Sequence, residues 1–194
     1  RTASSTGVPM IRYLFNSVVV SIVTIVLTAF LTVITGYALS KKKFRAKNKL
    51  LGINQMALMF VPVAVMIPKY LVVVRMGLNN NFFAHILPYL AMPVGLFLIK
   101  QFIDGVPDEV IEAARVDGAG DFTILTRVVM PLIAPAIATV VILTFQATWG
   151  NVEPSNIYIQ DETMKSFAFY LNTLTSTGSP IAGAGMSAAA ALIM

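Results

Sequence analysis

Residues 13 to 39 contain no charged side chain, and this 27-residue run constrains the chain more than any other stretch. At about 1.5 Å of rise per residue, a helix of that length exceeds a bilayer's hydrocarbon core of about 30 Å. The apolar residues are continuous rather than alternating, so the run reads as a helix and not as a barrel strand. It is not a secretory signal, because basic residues follow it and the apolar stretch is too long. Composition points the same way: 57% hydrophobic residues, 12% charged and a mean hydropathy of +0.78 exclude an ordinary soluble domain.

Within that run Ser17, Ser21, Thr24, Thr28, Thr32 and Thr35 recur at spacings of three and four, which puts them on one helical face. A stripe of small polar residues lets helices approach closely and hydrogen-bond across the contact. Packing is the expected role of the stripe, and the alternative is one wall of a path through the membrane.

Six basic residues fall among the nine from Lys41 to Lys49. The net charge of +5 would suggest nucleic acid in a soluble protein. Here the positive charge sits between two apolar runs, so loop 40–49 is expected in the cytoplasm beside the anionic inner leaflet, with no nucleic-acid partner. The expected spans are then about 13–39, 50–74, 82–99 and 128–149, with the start of a fifth at 181–194. Pro62 and Pro68 are expected to bend or break the second, and Pro131 and Pro135 to lie in the first turns of the fourth. Arg1 is no initiator and the last apolar run stops at Met194, so the chain is expected to be a fragment, 1–194 forming a single transmembrane domain. Lys69 is expected to snorkel toward the outer surface, with a substrate contact as the alternative.

The acids are concentrated elsewhere: six of nine lie between Asp104 and Asp121. Pro107 followed by Asp108 and Glu109 marks a helix start, since proline has no amide to lose there and carboxylates suit the positive end of the dipole. Val110 to Val116 reads as a short helix, Gly118 and Gly120 as its reversal, and Asp121 as the cap of a second helix, Phe122 to Arg127. Asp108, Glu112 and Arg115 share a face, where the two acids repel slightly and favour a basic partner. The bland reading of this segment is a solvated charged loop.

Glu112-Ala113-Ala114, then Gly118, then Val128, Met130 and Pro131 at fixed spacing resemble the EAA loop of ABC importer permeases. The family has Ile and Leu where Val128 and Met130 stand. The run Arg115 to Ala119 is similar to that of the carbohydrate-uptake branch, the relatives of the maltose permease pair. Pro62, Pro68 and Gly77-Leu78-Asn79, Leu87-Pro88-Tyr89, and Trp149-Gly150-Asn151 resemble the same branch, the last less closely because of the inserted glycine. The resemblance implies an all-α polytopic transmembrane helix bundle of ABC importer permease type in the bacterial plasma membrane. It implies a sugar or oligosaccharide as cargo, and a cytoplasmic loop 100–127 that couples to a separate ATPase. On that reading Glu112 contacts the ATPase electrostatically, Ala113 and Ala114 permit close approach, and Gly118 forms the turn. Asp117 and Pro131 complete the coupling segment. The implied partners are an ABC ATPase dimer, a second permease that is a paralogue, a solute-binding protein outside the membrane, and the lipid bilayer.

No catalytic chemistry is legible. There is no cysteine, and the single histidine, His85, has no acidic neighbour in sequence, so it reads as structural. No GxSxG or phosphate-binding GxxxxGK[ST] occurs, and no Asp or Glu falls inside a span. The chain is therefore expected to be a transport subunit with no metal or cofactor, hydrolysis being a partner's task. Nothing marks a substrate-binding residue. The alternatives are an ion-coupled secondary transporter, which commonly carries a mid-membrane carboxylate, and a non-transporting membrane scaffold.

Overall fold

The computed structural model describes residues 8–60 and 62–176. The expected fifth span at 181–194 lies outside them. Among the described residues every regular element is helical: α1 Met10–Lys41, α2 Lys47–Met59, α3 Met66–Arg75, α4 Pro93–Asp104, α5 Asp108–Val116 and α6 Asp121–Ile124. There follow α7 Met130–Leu132, α8 Ala134–Trp149, α9 Glu153–Ile157 and α10 Phe167–Ser176. Two helical stretches are long and apolar enough to cross a membrane, α1 and Ala134–Ile157, or three if a broken pair in 82–104 counts as one.

α1 is built inside out. Ser17, Ser21, Thr24, Thr28 and Thr32 are buried, Thr24 and Thr28 completely, while Ile11, Phe15, Ile22, Val26 and Phe30 are more than half exposed. Thr35 does not follow the stripe and is exposed. Water would reverse this arrangement, since a contiguous apolar face that size is not left bare on a soluble protein. Hydrocarbon favours it, because large apolar side chains lose nothing against lipid tails and small polar ones improve helix packing.

Proline placement explains the interruptions. α2 stops at Met59 and a 3-10 turn, Pro62–Val65, precedes α3. Pro68 is the third residue of α3, where a missing amide breaks no intrahelical bond. Residues 82–99 are likewise not one helix: 3-10 turns at Phe82–His85 and Leu87–Tyr89 come first, and α4 opens on Pro93. The fourth expected span differs most. Helical structure begins already at Asp121, so Pro131 and Pro135 lie inside the run instead of at its start. Between α6 and α7 the helix widens to a π-turn, Leu125–Val129, with the Met130 amide reaching the Leu125 carbonyl. Pro131 offers no amide to the carbonyl four residues back, and such a widening is one way a helix absorbs a proline.

The described residues form two compact units. The first comprises 25–64 and 90–144. Its core draws Val33 and Tyr37 from α1, Ile99 and Ile103 from α4, Val106 and Ile111 beside and on α5, and Ile124, Leu125, Val129, Ile133, Ala136 and Val140 from the run after Gly120. The three- and four-residue spacings show each helix turning one face inward. Gly36 lets α1 and α4 meet: a Cβ there would stand 2.7 Å from Ile99 Cγ2. α2 buries no residue; its Asn54 donates to the Pro93 carbonyl (3.3 Å).

The second unit comprises the described residues of 1–24, 65–89 and 145–194. Here Asn16 donates to the carbonyls of Thr163 (2.8 Å) and Lys165 (3.0 Å), and the Phe167 amide donates to Ser17 Oγ (2.8 Å). Tyr13 stacks on Tyr170 at 5.0 Å, and Tyr70 on Tyr158 at 6.1 Å. Asn80, held at a φ of 53°, accepts from the amides of Gln160 and Asp161, so the turn at 77–81 is an anchor for that strand of chain. His85 is buried in an edge-to-face arrangement with Phe82, and its Nε2 lies 3.1 Å from the Met164 carbonyl. Lys69 pairs with Glu153 at 2.6 Å and lies over the Tyr89 ring.

Candidate functional site

The acidic segment folds as an elbow. α4 ends at Asp104 and Pro107 takes the N-cap position of α5 with a φ of −58°, leaving Asp108 and Glu109 in the first turn. Val106 and Ile111 are buried in the core of the unit, which pins α5 by one face. The C-terminal reversal follows from Gly118. Its φ is +80°, the Gly118 amide donates to the Arg115 carbonyl (2.9 Å), and the Ala119 amide to the Ala114 carbonyl (3.0 Å). This pair of bonds is a Schellman turn, which needs a left-handed residue at that position and favours glycine.

The candidate residues divide by burial. Glu112, Ala113, Asp117 and Gly118 are exposed, while Ala114 is half-buried and packs on the core. Pro131 lies in α7, exposed, within the run whose Val129 and Ile133 share a core with Ile111. Glu112 to Gly118 thus make one continuous surface, and Pro131 belongs to the helix that follows it.

Electrostatics supply what the sequence left open. The basic partner of the acidic face is this chain's own loop: Lys41 Nζ lies 2.7 Å from Asp108 Oδ1 and donates to the Val106 carbonyl at 2.6 Å. Lys42 pairs with Asp121 at 2.6 Å, and Arg115 approaches the same carboxylate at 3.5 Å. Asp121 is therefore not a helix cap. Gly120 takes that place, without a side-chain bond, and the Asp121 carboxylate is drawn to the two cations. The hydrogen bond from Lys41, then its charge, holds the Asp108 carboxyl below its ordinary range. The hydrogen bond from Lys42 does the same for Asp121. A polar cleft of about 430 Å³ opens beside α5, lined by Ser40, Lys41, Lys43, Lys47, Asp104, Asp108, Ile111, Glu112 and Arg115. Glu112 stands on its wall with no ion-pair partner within the described residues.

Sequence reasoning missed Lys41 and Lys42 as parts of this site. The available signal was complementarity: six cations in nine residues and six of nine acids, both expected on the same side of the membrane. Among the described residues no three of His, Asp and Glu gather as metal ligands would.

Comparison with known proteins supplies the identity. The family described as "Binding-protein-dependent transport system inner membrane component" matches residues 13–194. The chain is 31% identical over 166 residues to the "Arabinooligosaccharides transport system permease protein AraQ" of Bacillus subtilis, covering 85% of this chain and 59% of that one. It is 28% identical over 182 residues to the "Inner membrane ABC transporter permease protein YcjP" of Escherichia coli, covering 93% and 65%. A crystal structure of "a bacterial ABC transporter involved in the import of the acidic polysaccharide alginate" superposes with a TM-score of 0.81 at 25% identity, covering 92% of this chain and 64% of that one. The chain thus spans less than two thirds of each relative's length. On this match, the chain belongs to the binding-protein-dependent transport system inner membrane components, the permease family of ABC transporters.

Proposed function

We propose that this chain is the membrane-spanning permease of an ATP-driven importer for a sugar or oligosaccharide, and that the elbow at 104–127 docks in a separate cytoplasmic ATPase. Family membership supports the transport role, and the named cargoes of two relatives, arabinooligosaccharides and alginate, support a carbohydrate. The observation that carries the docking role is the elbow itself. A nine-residue helix is pinned by Ile111 and closed by a Schellman turn, yet it leaves Glu112 and Ala113 bare. A short helix transmits a push without being compressed, alanine permits close approach, and an unpaired carboxylate offers a charge to a basic groove.

On this reading the spans at 50–74 and 82–99 cross as broken helices, loops 40–49 and 100–127 are cytoplasmic, and the bare face of α2 meets lipid or a second permease, a paralogue. A solute-binding protein delivers the cargo, and ATP-driven closure of the ATPase dimer rocks the permease pair between inward- and outward-open states. Asp117 and Pro131 belong to the coupling segment. The test uses the intact transporter in sealed vesicles. Glu112→Arg and Gly118→Pro are expected to abolish uptake or release the ATPase while membrane insertion persists. Unaltered uptake in both variants contradicts the docking role.

A further inference from the structure

We infer that Lys41 and Lys42 are positioning residues that fasten the elbow to the last turn of α1, so that elbow and helix move as one body. The inference rests on the docking reading, because it concerns how a push received at the elbow reaches a membrane helix.

Three consecutive residues at the C-terminal end of α1, Lys42 just past its last turn, hold three different parts of the segment. Ser40 Oγ donates to Asp104 at the end of α4. Lys41 bonds both the Val106 carbonyl and Asp108, where α5 begins. Lys42 bonds Asp121, where the helical run after Gly120 begins. These contacts join residues 64 to 79 positions apart, so no local folding rule produces them. The charges also suit the helix ends, with lysines at the C-terminus of α1 and Asp108 at the N-terminus of α5.

The covalent connections are poor levers by comparison. α5 joins its neighbours through Gly105 on one side and Gly118 and Gly120 on the other, and glycine has the broadest backbone freedom of any residue. A push on α5 carried only by those links would be absorbed as rotation about them. Lys41 holds the start of α5, and Lys42 holds Asp121 just beyond the two glycines, a carboxylate that Arg115 of α5 also approaches at 3.5 Å, so that freedom is restricted on both sides. The two lysines differ in shielding. The Lys41 side chain is 10% exposed and that of Lys42 is 39%, while both carboxylates are more than half exposed, so salt screens both pairs.

The test uses the full-length permease, assembled with its ATPase and reconstituted in vesicles, and reads uptake per ATP hydrolysed. In Lys41→Met/Lys42→Met that ratio is expected to fall by about fivefold or more, the scale of an ordinary coupling free energy, while the ATPase still co-purifies. Exchanging the charges, Lys42→Asp with Asp121→Lys, is expected to recover part of the loss of Lys42→Asp alone. A purely structural role lowers the amount of assembled complex and leaves the ratio untouched. In a second arm, Lys42→Cys and Asp121→Cys are bridged by a short bifunctional thiol reagent, and the bridged transporter is expected to keep its full ratio. A bridge that halts transport, or an unchanged ratio in the methionine variant, overturns the inference. Failure of the docking reading is recognisable beforehand: the ATPase then does not co-purify with the unmutated protein, and this inference falls with it.

Discussion

At Gly118 a single side-chain atom decides the conformation. A φ of +80° disfavours any L-residue with a Cβ, yet nothing lies within 4 Å of where that Cβ would stand. The strain is therefore purely backbone. Gly118→Ala is expected to destabilise the elbow locally by about 1–2 kcal/mol. Gly120, with a φ of −72° and equally open surroundings, is expected to accept alanine without measurable loss. Hydrogen exchange of the α5 amides in the two variants separates them, and equal protection would contradict the turn assignment. Titration gives a second check. The folded-state pKa values of Asp108 and Asp121 are lowered from the ordinary 3.8 by their lysines. Their pairing therefore contributes stability that is present above pH 3.8 and is lost as pH falls through the lowered values. Carboxyl resonances of isotope-labelled aspartate are expected to titrate below 3.8 for both residues, and a midpoint above it would contradict the ion pairs. The glycine turn was legible because its cause is local. The pairs were not, because long flexible side chains meet across some seventy residues of sequence only after the helices have packed.

Helices were legible where one periodicity ran uninterrupted. The uncharged run at 13–39 became α1, Met10–Lys41, and the stripe of small polar residues became its buried face apart from Thr35. Proline-rich stretches were harder. A proline excludes a regular hydrogen bond but does not dictate whether the chain kinks, stops, or widens into a π-turn as it does at Leu125–Val129. Asp121 shows the same limit: its spacing suited a cap, and a cation from a distant loop won the carboxylate. The approach of α1 to α4 gives a prediction at this scale. Gly36→Ala forces a methyl to within 2.7 Å of Ile99 Cγ2, and Ile99 is fully buried. Over-packing of this kind is expected to cost about 1–3 kcal/mol. Reduced thermal stability in detergent checks it, and pairing with Ile99→Val is expected to recover part of the loss. An unchanged melting midpoint in Gly36→Ala would show that the two helices do not meet there.

Among the described residues, an inside-out first helix and membership of a permease family tell the same physical story: a protein whose solvent is lipid, carrying a charged elbow between apolar helices. On the proposed reading, ATP-driven work arrives from another subunit and the elbow at 104–127 receives it. Its sidedness and its occupant are therefore the points on which the account turns. A photoreactive residue placed at position 112 of the complete transporter, in sealed right-side-out vesicles, addresses both at once. Illumination is expected to capture the ATPase subunit, and a membrane-impermeant reagent added outside is expected to leave that position unlabelled. Labelling from outside, or capture of the solute-binding protein in place of the ATPase, would contradict the account.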